Sequence, residues 1–331
     1  MPLVDTFGRE HNYLRISVTD RCNLRCIYCM GADGVQQIPH RDILTYEEIL
    51  QVVKAGVELG IRKVRLTGGE PLVRKDLINL VEGISCLAGI TDLSMTTNGI
   101  LLSRYAAALK EAGLKRVNIS LDSLDPALFR DITRGGSLQS VLDGIEAALR
   151  EGLEPVKVNT VLMKGLNHTE VPAFLKLTLD KPVHVRFIEY MPIGDHDHSY
   201  RKRFLPLTYI SETAQKMGLP LTAAAPLTGA GPAETFTLSG AKGSIGLIHA
   251  ISDHFCASCN RLRLTAEGSL KACLYWQDEY RVRPALSDPA ALQALLREVL
   301  HAKPKEHLMS PVRKAGPINP GAMRGMSKTG G

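Results

Sequence analysis

The stretch YLRISVTDRCNLRCIYC, residues 13–29, runs a β-branched segment straight into three cysteines, Cys22, Cys26 and Cys29. Residues 13–19 read as a strand. The cysteines therefore sit on the loop at its C-terminal end, where barrels and open parallel sheets build their sites. Three thiolates on one short loop can surround one metal centre. Iron–sulfur clusters are normally held by four thiolates, so three leave one iron open to a non-protein ligand. Spacing alone also admits zinc with a fourth ligand from elsewhere.

Working outward, the same strand-then-helix rhythm repeats. Further strands are predicted at 63–68, 92–98, 116–122, 156–163 and 184–191, with helices near 45–59, 75–88, 103–112, 137–151, 169–179 and 204–218. Thr45 and Asp76 serve as start signals; Gly60, Gly113 and Gly152 stand where helices should stop. Such alternation argues for an α/β fold with a parallel sheet of right-handed crossover units. Strands buried on both faces should be apolar almost throughout. These carry a polar face instead: Arg15, Ser17 and Thr19; Arg65 and Thr67; Ser94, Thr96 and Asn98; Asn118, Ser120 and Asp122; Lys157 and Asn159; His184 and Arg186. Alternate side chains share a face. If the sheet curves into a barrel or part of one, those faces line a polar lumen where Arg15, Arg65, Lys157 and Arg186 converge. Buried cations need anionic partners, and guanidinium groups grip phosphate or carboxylate in pairs of bonds.

After residue 220 the pattern changes. Short strands are expected at 234–239, 244–251, 261–266 and 269–275, then a helix at 289–301. Glu267-Gly268 reads as a tight hairpin turn, which would set Cys273 opposite Leu262 and near Cys256 and Cys259. This second triplet again leaves a fourth position; a zinc site completed by His249 or His254 is the alternative. Cys86 stands alone and reads as a small core residue. The expected organisation is 1–220, a six-strand unit; 221–302, a cysteine-bearing region; and 303–331, a mobile tail without periodicity that ends Gly330-Gly331.

Composition limits the partners. The chain has 331 residues, 44% hydrophobic and 22% charged, as an ordinary globular chain does. Of the net charge of +6, residues 302–331 hold six Lys or Arg against one Glu, or +5; the body is nearly neutral. Bulk charge thus gives no case for nucleic acid. No run of 18 apolar residues exists, and Asp5, Arg9 and Glu10 stand where a secretory leader would be apolar. The expectation is no membrane and a reducing cytoplasm, where cysteines serve metal or catalysis.

The motif C-x-x-x-C-x-x-C with Tyr28 before its last cysteine resembles the radical S-adenosylmethionine superfamily. That resemblance implies an incomplete (βα)6 TIM-type barrel, a [4Fe–4S] cluster on Cys22, Cys26 and Cys29, and S-adenosylmethionine chelating its open iron. Gly68-Gly69-Glu70-Pro71 resembles the superfamily's glycine-rich loop, where missing side chains allow close approach to a ligand. Tyr28, Gly69, Ser120 and Met191 match positions that touch the cofactor. Adding Cys256-x-x-Cys259-Asn-Arg261-Leu-Arg263, Cys273, the opening Arg15-Ile-Ser-Val-Thr-Asp-Arg-Cys22 and the final Gly330-Gly331, the chain resembles the GTP 3′,8-cyclase family of molybdenum cofactor biosynthesis. This implies a second [4Fe–4S] cluster on Cys256, Cys259 and Cys273 that engages guanine. It implies GTP contacts at Arg15, Arg65, Thr96, Lys157, Arg261 and Arg263, with Arg186 added, and catalytic roles for Arg261, Arg263, Gly330 and Gly331. Hydrogen abstraction at ribose C3′ and attack on guanine C8 would close the ring. A homodimer, a reductant protein and a downstream cyclic pyranopterin synthase are the implied partners. Thr329 departs from the apolar residue that family members often carry there. The alternatives are another radical S-adenosylmethionine enzyme with an auxiliary cluster, or a non-catalytic zinc module with a nucleic-acid-binding tail.

Overall fold

The six expected strands form adjacent β1 to β6 of one sheet: β1 (Tyr13–Ser17), β2 (Lys63–Thr67), β3 (Asp92–Thr97), β4 (Arg116–Ser120), β5 (Lys157–Leu162) and β6 (His184–Glu189), all parallel. The computed structural model describes residues 2–193, 200–227, 231–309 and 325–326. Helices α1 (Tyr46–Glu58), α2 (Leu77–Ser85), α3 (Leu102–Glu111), α4 (Pro126–Thr133), α5 (Leu138–Arg150) and α6 (Val171–Asp180) connect these strands. α7 (Tyr200–Arg203) and α8 (Thr208–Lys216) follow β6.

Local chemistry explains the starts and stops. Thr45 and Glu48 close a reciprocal capping box on α1, satisfying two otherwise orphaned amides. Ile49, Val52, Val53 and Gly56 then bury one stripe of that helix. Asp76 behaves differently from the expectation. It holds the position before α2 in a left-handed conformation (φ 57°) and makes no side-chain cap bond. α4, absent from the expected helices, begins at Asp125, whose side chain accepts from Leu128 N, with Pro126 in the first turn. Cys86 is exposed just beyond α2 rather than in the core.

Two layers result. The outer sheet face buries Ile16, Leu66, Met95, Ile119, Val158 and Phe187 beneath the helices. The inner face carries the polar residues of alternate parity.

The C-terminal strands extend this same sheet at both edges. β9 (Ser244–Ile248) lies parallel to β6, with β8 (Glu234–Thr237) and β7 (Thr222–Ala223) antiparallel beyond it. β10 (Arg261–Leu264) lies parallel to β1, with β11 (Ser269–Lys271) and β12 (Tyr280–Arg281) antiparallel beyond it. α9 (Pro289–His301) packs on α1.

The β10–β11 hairpin corrects the expected register. Thr265 and Ser269 flank a three-residue loop closed by Gly268 N to Thr265 O, with Gly268 at φ 86°. Three loop residues, not two, pair Arg263 with Lys271. Continued by two residues, that register sets Cys273 across from Arg261, not Leu262. A one-residue slip exchanges the faces of a strand, so Cys273 shares the parity of Arg261 and Arg263.

Candidate active site

A cavity of about 360 Å³ fills the inner side of the sheet, within the range of pockets for small ligands. Both cysteine triplets line it. Topology puts them at different mouths. Cys22 to Cys29 follow the C-terminal end of β1. Tyr13 of β1 is in register with Arg261 of β10, so Cys256 and Cys259 precede the N-terminal end of the parallel β10. Cys273 follows the end of the antiparallel β11, at that same mouth. Five strand residues at about 3.3 Å each span roughly 15 Å. The two triplets are therefore separate centres. Among the described residues, no three His, Cys, Asp or Glu side chains are arranged to hold a single metal ion.

At the first mouth, Cys26 amide-carbonyl geometry turns the chain tightly: Cys29 N and Met30 N both donate to Cys26 O. Cys22 Sγ accepts from Leu24 N at 3.4 Å and Asn98 Nδ2 at 3.8 Å. Burial pushes the Cys26 thiol well up, with Asp122 adding to it. Tyr28 donates to Asp122 Oδ2 at 2.6 Å; burial lifts that carboxyl to about 6. Glu70, lifted to about 7 by burial, accepts from Thr97, Asn98 N and Leu72 N. Gly69, Ser120 and Met191 line the cavity here.

The glycine-rich loop has a reason the sequence did not supply. A Cβ on Gly69 would lie 2.0 Å from Arg21 O, and one on Gly68 would lie 2.8 Å from Thr19 O. Gly69 N donates to Thr19 O and Glu70 N to Arg21 O. These glycines admit the protein's own cysteine loop against the end of β2.

Between the mouths stands a belt of cations. Register aligns Arg263, Arg15, Arg65, Ser94 and Arg116 across five strands. A second row is Thr96, Asn118, Lys157 and His184; a third is Ser120, Asn159 and Arg186. Burial and the neighbouring Arg263 push Arg15 down to about 9; burial and nearby Arg15 do the same for Arg65, and burial with Arg65 and Arg116 for Arg186. All stay charged at neutral pH. Lys157 does not line the cavity. It is wholly buried, and burial with Arg186 and Arg116 brings it to about 6. Gly246, in register with Arg186, leaves room for that side chain: a Cβ there would meet Arg186 Cγ at 2.9 Å. Glu189, at the end of β6, accepts from Ile251 N and Ser252 N.

Buried polar atoms along these rows are unpartnered: Thr96 Oγ1, Asn118 Oδ1 and Nδ2, and Asn159 Oδ1. Buried polar groups normally find partners, so these point to a polar ligand in the cavity.

Sequence reasoning missed the floor. Arg116 donates from Nε to Asp92 Oδ1 at 3.1 Å in a paired contact, and Tyr13 lies under Arg65, 5.6 Å from ring centre to guanidinium. Lys63, Asp92 and Arg116 all line the cavity. Their signal was parity: 116 shares a face with 118, and 63 with 65.

At the second mouth, Arg261 lies over Phe255 at 4.8 Å. Burial alone would raise the Cys259 thiol, but Lys303 and Arg261 hold it down at about 7. His249 and His254 face Glu189 and Glu306. Residues 303–309, expected as part of the mobile tail, are seated here: Trp276 Nε1 donates to Glu306 O and His307 Nε2 contacts Ala250 O. Met326 also lines the cavity. Gly330 and Gly331 lie outside the described residues.

Comparison with known proteins gives the class first. Residues 16–178 match the Radical SAM superfamily, and residues 183–309 match the family Molybdenum Cofactor Synthesis C. The fold agrees: Streptococcus suis SuiB superposes with a TM-score of 0.63 at 15% identity, over 89% of this chain and 67% of that one. Membership of the superfamily implies one [4Fe–4S] cluster and S-adenosylmethionine. A GTP 3′,8-cyclase of Listeria welshimeri is 50% identical over 330 residues, 99% of both chains. Another, from Desulforamulus reducens, is 50% identical over 311 residues, 93% of this chain and 95% of that one. The chain belongs to the GTP 3′,8-cyclase family.

Proposed function

We propose that this enzyme cyclises GTP to (8S)-3′,8-cyclo-7,8-dihydroguanosine 5′-triphosphate, by hydrogen abstraction at C3′ and attack on C8, as the first step of molybdenum cofactor biosynthesis. The observation that carries the reading is a single cavity with a cysteine triplet at each mouth and a belt of guanidinium groups between. The soft sulfur donors at each mouth suit iron–sulfur clusters. Cys22, Cys26 and Cys29 would hold one [4Fe–4S] cluster, and Cys256, Cys259 and Cys273 the other. When bound, the first cluster with S-adenosylmethionine supplies the hydrogen-abstracting radical.

The chain's own residues do the rest. Arg15, Arg65, Arg186, Arg261 and Arg263 line the cavity and offer the charge that a triphosphate needs, Lys157 lies buried behind them, and Thr96 offers an unpartnered hydroxyl. Register between strands fixes these groups before substrate arrives, so little ordering remains to be done on binding. Tyr28, Gly69, Ser120 and Met191 bound the cofactor end. The enclosing sheet limits water, which suppresses side reactions of a radical. In this reading residues 1–220 generate the radical, 221–302 hold the substrate cluster, and 303–331 close the second mouth with Gly330-Gly331 reaching the substrate. A cytoplasmic homodimer served by a reductant protein and feeding a pyranopterin synthase fits the same reading. Among the described residues no helix is long and apolar enough to cross a membrane.

The test compares the mouths. After anaerobic reconstitution, Cys26→Ala should lose both 5′-deoxyadenosine release and the cyclised nucleotide. Cys256→Ala should keep reductive cleavage of the cofactor and lose the nucleotide product. Normal cyclisation by Cys256→Ala would defeat the assignment.

A further inference from the structure

Lys303 follows α9 and is buried, with 4% of its surface exposed. Its ammonium donates to Arg261 O at 2.8 Å, to Ala272 O at 2.8 Å and to Cys259 Sγ at 3.4 Å. An ammonium has three N–H donors and no acceptor, so every donor is directed. Those contacts tie the start of β10 to the end of β11, the two places that carry Cys259 and Cys273. The backbone around Lys303 is fixed in turn. Arg9 donates to Pro304 O at 2.9 Å, to Lys305 O at 2.8 Å and to Cys256 O at 2.8 Å.

A buried ammonium needs a counter-charge. The ammonium's third contact, beside two neutral carbonyls, is a sulfur, Cys259 Sγ. Sulfur supplies that charge when it ligates a metal as thiolate. At the other mouth, Cys22 Sγ is approached by neutral donors, Leu24 N and Asn98 Nδ2. Hydrogen bonds to ligating sulfur and nearby positive charge favour the reduced, more negative state of a cluster.

We propose that Lys303 is a positioning residue of the second cluster, which holds Cys259 and Cys273 in place and raises that cluster's reduction potential through its bond to the Cys259 sulfur. The inference rests on the two-cluster reading above.

The experiment is a redox titration, followed by electron paramagnetic resonance, of the anaerobically reconstituted full chain and its Lys303→Met and Lys303→Arg variants, with iron and sulfide counted first. Lys303→Met should shift the second cluster to a more negative potential and leave the first where it was. Lys303→Arg, which keeps charge and donors, should restore most of the shift. If Lys303→Met loads only the first cluster while Lys303→Arg loads both, the positioning role stands on charge. Unchanged potentials in Lys303→Met overturn the proposal, as does loss of the second cluster in both variants, since charge is then not what matters. A wild-type chain that loads only one cluster defeats the two-cluster reading itself, before any variant is made.

Discussion

The two mouths of the cavity are built in opposite ways. The first is local: three cysteines within eight consecutive residues, stacked on the Gly68-Gly69 turn of the next strand. The second is assembled from afar. Cys256 and Cys259 come from a 3₁₀ turn, Cys273 from the far side of a hairpin, Lys303 from beyond α9, and Arg9 from before β1. A local site depends on backbone fit at one place. A site assembled from four segments depends on long-range hydrogen bonds, whose loss is graded. Damage at the first mouth should therefore be all-or-none and at the second partial.

The largest effect belongs to Gly69→Ala. Its Cβ would fall 2.0 Å from Arg21 O, a backbone atom that cannot swing aside as a long side chain can. Accommodating it means moving the cysteine loop. Iron per reconstituted chain should drop from about eight to about four, and 5′-deoxyadenosine release should vanish. Full iron loading with normal cofactor cleavage would show that the two backbones have room. Cys86→Ala, at an exposed position, should change neither quantity.

The same contrast decides what the sequence made legible. The six parallel strands could be read because each repeats the alternation of an apolar and a polar side, and the first triplet because its spacing is contained in one loop. The cationic belt follows from parity, although Lys63 and Arg116, the first residues of the strands predicted at 63–68 and 116–122, share that parity without being counted on the polar face. The register of the β10–β11 hairpin was misread, since one additional loop residue reverses the strand's faces and Glu267-Gly268 looks alike in either loop length. Lys303 had no signal. It lies in an aperiodic stretch with Pro304 and Lys305, and its role arises only when α9 returns it to the hairpin. The placement of β9 and β10 on opposite edges of one sheet was likewise a tertiary fact, set by which edges β1 and β6 leave unpaired.

An intermediate effect is expected between the mouths. Lys157 in the ligand-free chain sits at about 6, held down by burial and by Arg186 and Arg116, against 10.5 for an ordinary lysine. Between those values the unfolded chain binds a proton that the folded one does not. Stability of the ligand-free protein should then rise with pH across that window through this residue. A triphosphate bound on the neighbouring Arg65 and Arg186 offsets their positive charge and, acting through space on a lysine that does not line the cavity, favours its protonated form. At pH 8, calorimetry in buffers of different ionisation enthalpy should show uptake of about one proton per GTP, a quantity that fades towards pH 5. Lys157→Met should abolish the uptake. Heats independent of buffer in the wild-type chain would mean that Lys157 is already charged or that the ligand's charge does not act on it.

The smallest effect should come from Arg9, which tests whether the second mouth is held in a graded way. Its guanidinium is anchored by Asp5 Oδ2 at 2.6 Å, and the same carboxylate accepts from His11 at 2.9 Å. From that anchor it reaches the carbonyls of Cys256, Pro304 and Lys305. Removing hydrogen bonds to a charged group costs about 2 kcal/mol, a fall in Tm of roughly 3 °C for a chain of this size. Arg9→Ala should therefore fold. The loss should be confined: amide exchange should quicken in residues 256–259 and 303–307 and stay slow in residues 22–29. Because Lys303 still bonds Arg261 and Ala272 on its own, the second triplet should load most of its iron. Uniformly faster exchange at both mouths would mean that they are one cooperative unit, and the distinction between a local site and an assembled one would fail.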